Sequence, residues 1–250
     1  SGELGQNSKV NYSSPVQIPG TTWAMANSGV LAAGTSHVMA LKQDGTLWVW
    51  GNGSAGQLGQ GGSPSVQYSS PTQIPGTDWA FCAADVEKSG AIKTSDEMWV
   101  WGKNQHGQLG MNMANNAYRS SPIQIPGSWK SLCFGDDQGM AIRTNGELFC
   151  FGNNNYGQCA QNNTSPGYSS PVQVPGTTWS TATRISLASG SNHMMAMKTD
   201  GTLWTWGMGN YGRLGQNNQT QRSSPVQVMS YSDVLECDSG DYGSFMLENS

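Results

Sequence analysis

Gly34-Thr35-Ser36-His37-Val38-Met39-Ala40-Leu41-Lys42-Gln43-Asp44-Gly45-Thr46-Leu47-Trp48-Val49-Trp50-Gly51 returns as Gly190-Ser191-Asn192-His193-Met194-Met195-Ala196-Met197-Lys198-Thr199-Asp200-Gly201-Thr202-Leu203-Trp204-Thr205-Trp206-Gly207. The aromatic-x-aromatic-Gly end of this unit also occurs as Trp99-Val100-Trp101-Gly102 and Phe149-Cys150-Phe151-Gly152, so successive glycines lie 51, 50 and 55 residues apart. Self-similarity at such a period marks a solenoid, propeller or array before any local propensity is considered.

Working outward, Ser-Ser-Pro-x-Gln-(Ile/Val) begins at Ser13, Ser69, Ser120, Ser169 and Ser223, which makes five repeat equivalents. Each repeat parses into four strands: the Pro-x-Gln-Ile segment, the stretch after Trp23 or Trp79, the Met-Ala-Leu-Lys segment and the Leu-Trp-x-Trp segment. Asp44-Gly45, Asn145-Gly146 and Asp200-Gly201 stand between the last two, and such dipeptides take the positive φ that a tight hairpin requires. Four antiparallel strands make a blade. A blade cannot bury both faces alone, so blades pack face to face around an axis with the paired tryptophans between them. The predicted fold class is an all-β propeller of four-stranded blades, with residues 1–250 as one domain.

Composition agrees. Only 11% of residues are charged and 33 are glycine, a profile of short strands and Gly/Asn/Ser turns. The 12 Lys and Arg residues are scattered singly and the net charge is −4, which gives no basic stripe for phosphates or anionic lipid. Nucleic acid is therefore not expected as a partner. Nor is membrane insertion: no apolar run nears the roughly 20 residues of a spanning helix, and residues 1–20 show no secretion signal. The five cysteines lack metal-ligand spacing; Cys150 replaces Val49 and Cys159 replaces Leu58, so buried thiols are expected, with a disulfide or metal role as the alternative.

Gly-x-x-His, then Ala-Leu-Lys-x-Asp-Gly-x-Leu-Trp-x-Trp-Gly-x-Asn-x-x-Gly-Gln-Leu-Gly, resembles the repeat of the regulator of chromosome condensation family of propellers. The clearest copies run from Gly34 to Gly59 and from Gly190 to Gly215. The resemblance implies a propeller fold; family members include a nucleotide exchange factor, a plant ultraviolet-B photoreceptor, a bacterial β-lactamase inhibitor and ubiquitin-ligase modules, so fold alone does not carry function. Repeat spacings of 50 to 55 leave no room for the exchange factor's wedge, and Gly34-Thr35-Ser36-His37 and Gly190-Ser191-Asn192-His193 lack the photoreceptor's Gly-Trp-Arg-His-Thr pattern. All ten tryptophans fall in repeat slots and are expected to pack. The Ser-Ser-Pro-Val-Gln-Ile-Pro-Gly units and Asn-rich linkers also resemble repeats of bacteriophage structural proteins and bacterial surface proteins.

Residue types for catalysis are thin. His37 and His193 share one slot, which predicts a common structural hydrogen bond, and His106 is a solitary loop residue. There is no Walker loop and no His-Glu-x-x-His, so no catalytic residue, cofactor site or metal site is predicted. Asp85, Glu87, Asp136, Asp137, Asp238 and Asp241 fall in aligned slots and form a candidate acidic rim, able to meet a hard cation or a basic patch on a partner. Lys42, Lys93, Arg143 and Lys198 share another slot, a series that Glu248 breaks. Segments 6–12, 60–68, 111–119, 161–168 and 216–222 vary where their surroundings repeat. Within them Tyr12, Tyr68, Asn115, Asn116, Tyr118, Asn162, Asn163, Tyr168, Asn217 and Asn218 are the candidate binding-loop residues, of the types that make adaptable recognition surfaces.

Scaffold without catalytic machinery predicts a non-enzymatic propeller that displays polar loops for protein or glycan contact, as a virion or extracellular surface component of a larger assembly. The alternatives are an intracellular, cytoplasmic regulatory module of the exchange-factor kind and a glycan-active enzyme using rim carboxylates. Ser1 to Asn7 approximately matches Ser54 to Gln60, and Gly240 to Ser250 aligns with Gly34 to Asp44, so both termini fall in the same blade position. The sequence expectation is a window on a longer polypeptide with a seven-bladed ring, the alternative being five blades.

Overall fold

The computed structural model describes residues 1–249 apart from 26–28, 63–65, 114–117, 183–185 and 229–232. Its elements divide between two compact units, Ser1–Asn104 with Ala117–Gly127, and Gln105–Asn116 with Ser128–Ser250.

The first unit holds two four-stranded antiparallel meanders, β1 (Leu31–Ala33), β2 (His37–Leu41), β3 (Leu47–Asn52) and β4 (Gln67–Gln73), then β5 (Trp79–Asp85), β6 (Lys88–Lys93), β7 (Met98–Gly102) and β8 (Arg119–Ile125). The second holds β9 (Trp129–Phe134), β10 (Gln138–Arg143), β11 (Leu148–Gly152) and β12 (Tyr168–Gln173), then β13 (Leu187–Ser189), β14 (His193–Met197), β15 (Leu203–Gly207) and β16 (Arg222–Gln227), and finally the hairpin β17 (Val234–Ser239) and β18 (Ser244–Glu248). Among the described residues four repeats thus form four-stranded blades and the fifth forms two strands. Among the described residues four Ser-Ser-Pro copies lie in fourth strands, and the first copy, from Ser13, lies in none.

The repeat's glycine has a steric cause. Gly51, Gly102 and Gly152 have φ of +106°, +103° and +100°, and a β-carbon on each would land on the carbonyl oxygen of Ser36, Glu87 or Asp137. Beside it the register of the third and fourth strands slips at Trp50, Trp101, Phe151 and Trp206, a bulge that turns the second aromatic inward. Each of these rings is at least 98% buried.

Strand periodicity serves two faces. In β14, Met194 and Ala196 pack with Met140, Cys150 and Trp206 between the sheets of the second unit, while Met195 and Met197 pack with Val234 and Cys237 of the hairpin. In the first unit Met39, Leu41 and Val49 meet Trp79, Cys82, Ala91 and Trp101. A buried side chain of this size contributes about 1.5–3 kcal/mol. Indole N–H groups tie neighbouring repeats together: Trp101 Nε1 donates to the Gln57 carbonyl at 2.9 Å, Trp206 Nε1 to that of Gln158 at 2.6 Å and Trp50 Nε1 to that of Glu3 at 2.8 Å. Glu3 therefore fills the Gln57 slot, one position from the alignment read in the sequence.

One expectation is corrected. Cys150 and Cys159 form a disulfide, with α-carbons 5.1 Å apart, instead of remaining thiols. They replace Val49 and Leu58, which pack in a single cluster of the first unit, so the repeat places the two sulfurs side by side. Cys82 and Cys237 are buried thiols as expected, and burial pushes the Cys237 thiol up to about 12.

Candidate functional site

Loop residues divide between packing and display. Tyr68 lies opposite Gly51 and Tyr168 opposite Gly152 in strand register, and both are half-buried against the cores. Tyr12 and Tyr118 are exposed. Asn162, Asn163, Asn217 and Asn218 are exposed, and the amides of Asn163 and Asn218 serve their loops. Asn163 Oδ1 accepts from Asn154 Nδ2 at 3.0 Å and from the Ser165 N–H, and Asn218 bridges the Gln216 carbonyl and the Thr220 N–H. Asn162 and Asn217 take left-handed φ of +55°. Asn115 and Asn116 lie outside the described residues.

Two rim acids, Asp85 and Glu87, belong to the first unit, and the other four to the second. Asp85 faces the fully buried Lys88 across the β5–β6 ladder and accepts from the Val86 N–H, a position suited to a counter-charge. Glu87 is 3.9 Å from Lys103 Nζ. Asp137 lies 3.7 Å from His106 Nε2 and 3.5 Å from Gln108 Nε2. Asp136 is half-buried, whereas Asp238 and Asp241 are exposed. Among the described residues no three His, Cys, Asp or Glu side chains converge to hold a metal ion.

The cation slot is structural. Lys42 Nζ lies 4.1 Å above Trp48 and 5.2 Å from Trp23; Lys198 repeats this on Trp204 and Trp179, and Arg143 covers Phe149 and Trp129. The two repeated histidines are buried, and desolvation pulls both down to about 4, which leaves them neutral at pH 7.

A slot that the sequence reading passed over emerges at the rim. The residue before Gly-Gln-Leu-Gly or its equivalent is Ala55, His106, Tyr156 or Tyr211. Ala55 is buried; the others reach outward by degrees. His106, with Asn153, Asn155, Pro166, Gly167 and Ser169, lines a polar hollow of about 260 Å³. Asp137 stands beside it, so the hollow joins an acidic slot to the 161–168 loop. Tyr211 packs edge-on against Tyr242 at 6.0 Å, and the buried Arg213 lies within 5.5 Å of both rings. The signal was variation inside an otherwise repeated unit, hidden because the slot lies in a turn. Imidazole, amides and hydroxyl give this hollow hydrogen-bonding capacity suited to recognition.

A family model described as "Regulator of chromosome condensation (RCC1) repeat" matches residues 95–142, 145–197 and 200–247. A second model of the same description matches 31–57, 129–158 and 185–213. The chain is 30% identical over 229 residues to the ultraviolet-B receptor UVR8 of Arabidopsis thaliana, covering 91% of this chain and 51% of the receptor. It is 23% identical over 240 residues to the human E3 ubiquitin-protein ligase HERC2, covering 91% of this chain and 5% of the ligase. The solved structure of Prp20p from Saccharomyces cerevisiae superposes with a TM-score of 0.76 at 20% identity, covering 94% of this chain and 59% of that one. Its title names binding to Gsp1p and histones. The chain spans about half or less of the length of the two sequence relatives.

Proposed function

Because the chain belongs to the regulator of chromosome condensation (RCC1) repeat family, we propose that it is a non-catalytic regulatory module that binds another protein through the rim around His106. The observation that carries this reading is the hollow itself: His106, Asn155 and the Pro166-Gly167 turn meet at an accessible polar surface. The relatives' names, a photoreceptor and a ubiquitin ligase, support this regulatory alternative over the glycan-binding virion component that the repeat dialect suggested.

Photocrosslinking from position 155, compared with a His106→Ala/Pro166→Ala variant, tests it. The reading expects one set of partner proteins whose capture falls at least tenfold in the variant. Undiminished capture overturns the assigned rim. Turnover of a glycan substrate that is lost with Asp136→Asn/Asp137→Asn overturns the non-catalytic reading.

A further inference from the structure

Three of the four cations in the shared slot lie on the first aromatic ring of their repeat: Lys42 Nζ is 4.1 Å from the centre of Trp48, Lys198 Nζ 4.1 Å from Trp204, and the Arg143 guanidinium carbon 4.4 Å from Phe149. Lys93 does not. Its Nζ stands 5.9 Å from Trp99 and 3.6 Å from Asp78 Oδ2. Two residues of the second repeat account for this. Asp78 occupies the place of Thr22 and Thr178, so a carboxylate draws the ammonium sideways. Glu97 occupies the place of Thr46 and Thr202, so the buried Trp99 indole N–H lacks the hydroxyl that holds Trp48 and Trp204.

With the cation drawn aside, Trp99 lines a hollow of about 210 Å³ together with Trp79, Pro75, Pro122 and Lys93. The two indoles meet edge to face, centroids 6.5 Å and planes 80° apart, and make a corner. All five residues belong to the first unit. β6 and β7 each have a strand on both sides, and both indoles pack with Met39 and Leu41 of the neighbouring sheet, so side chains within the repeat set the opening. The same residue types recur as Pro175, Trp179, Lys198, Trp204 and Pro225, where the lysine lies on the ring instead.

We propose that this hollow binds the quaternary ammonium of a trimethyllysine side chain carried by a partner protein. In three repeats the equivalent ring takes a cation, and here that ring is left to a ligand. None of the lining side chains is a carboxylate, amide or hydroxyl. A primary ammonium or a guanidinium would therefore bring N–H donors that find no side-chain acceptor, whereas a quaternary ammonium has no donor and spreads its charge over methyl groups that suit proline and indole walls. The surrounding charge selects a cation: Asp78, Asp96 and Glu97 stand against Lys93 alone, while in the fourth repeat Asp200 balances Lys198. The same carboxylates disfavour a phosphocholine headgroup, whose phosphate would follow its ammonium to the rim, and favour the apolar stem of a lysine. The hollow shares no residue with the one around His106.

Isothermal titration calorimetry on the full chain tests the proposal with three forms of one short peptide. They carry trimethyllysine, unmodified lysine, or the neutral isostere in which carbon replaces the quaternary nitrogen. The trimethyllysine form binds at least tenfold more tightly than either of the others. Asp78→Thr/Glu97→Thr, which installs the residues of the sister repeats and lets Lys93 return to Trp99, weakens that binding tenfold or more without lowering the unfolding temperature. Asp233→Asn, which removes a carboxylate from the second unit, leaves it unchanged. Equal binding of the neutral isostere would reduce the hollow to an apolar one and overturn the proposal, as would equal binding of unmodified lysine or undiminished binding by the Asp78/Glu97 variant. Binding of free choline without binding of the trimethyllysine peptide overturns the assigned source.

Discussion

His37 Nε2 lies 2.8 Å from Ser89 Oγ, and the same contact recurs between His193 Nε2 and Ser244 Oγ at 3.0 Å. In each case the serine hydroxyl donates onward to a carbonyl, that of Gln57 at 2.8 Å or of Arg213 at 2.6 Å. The hydroxyl proton being committed, the imidazole donates from Nε2, which fixes its tautomer. The motif's glycine has its cause here as well, since a β-carbon on Gly34 or Gly190 would strike the ring of His37 or His193. Ser89→Ala leaves a buried imidazole N–H without an acceptor and is expected to cost about 1–3 kcal/mol in chemical denaturation. A double-mutant cycle with His37→Ala should return a coupling of about 1 kcal/mol; independent effects would show that the contact carries no energy.

Trp48 and Trp204 donate their indole N–H groups to Thr46 and Thr202 at 2.8 and 2.9 Å. At the equivalent place Trp99 is followed back to Glu97, and its buried Nε1 has no acceptor. Glu97→Thr restores the sister arrangement and is expected to stabilise the chain by about 1 kcal/mol, read as an upward shift in unfolding temperature. An unchanged or lowered temperature would mean the threonine fails to reach the indole.

The disulfide closes a short loop between β11 and the turn beyond it, so its loss should cost on the order of 2–3 kcal/mol. Cys150→Val/Cys159→Leu puts in the residues of the first blade, keeps the packing volume and makes unfolding insensitive to dithiothreitol. Were the wild-type chain equally insensitive, the pair would contribute nothing to stability.

Much of this architecture is written in the repeat. Alternation in Met39-Ala40-Leu41 and the Asp44-Gly45 turn lead to the hairpin, because strand period and positive φ are local properties. Relations between repeats are less legible. Cys150 and Cys159 each read singly as a small core residue, and their union depends on the turn that brings position 159 back beside β11. His106 and Asp137 are distant in sequence and meet within the second unit, so the rim hollow had no sequence period to announce it. The slot of Tyr12, Tyr68, Tyr118 and Tyr168 did have one, yet Tyr68 and Tyr168 are partly packed, since periodic copying registers contact with the scaffold as readily as display.

Stability should fall with acid in a window set by the two histidines. Burial holds each folded imidazole near a pKa of about 4, below the ordinary histidine value of 6.5. The unfolded chain therefore takes up protons below pH 6.5 that the folded chain refuses. The resulting stability is complete above that value and is lost as pH falls toward 4, at up to about 1.4 kcal/mol per unit for each ring. Asp44 and Asp200, held low by the hydroxyl and N–H of Thr46 and Thr202, act below this window, where carboxylates titrate. Between pH 6 and 5 the wild-type chain is expected to lose on the order of 2 kcal/mol in chemical denaturation, both rings contributing. His37→Gln/His193→Gln uses the residue that Gln138 already supplies at this slot, where its amide donates to the Gly190 and Ser191 carbonyls. That variant should flatten the profile between pH 6 and 5 while each single variant removes about half the slope; an unaltered slope in the double variant would place the acid sensitivity elsewhere.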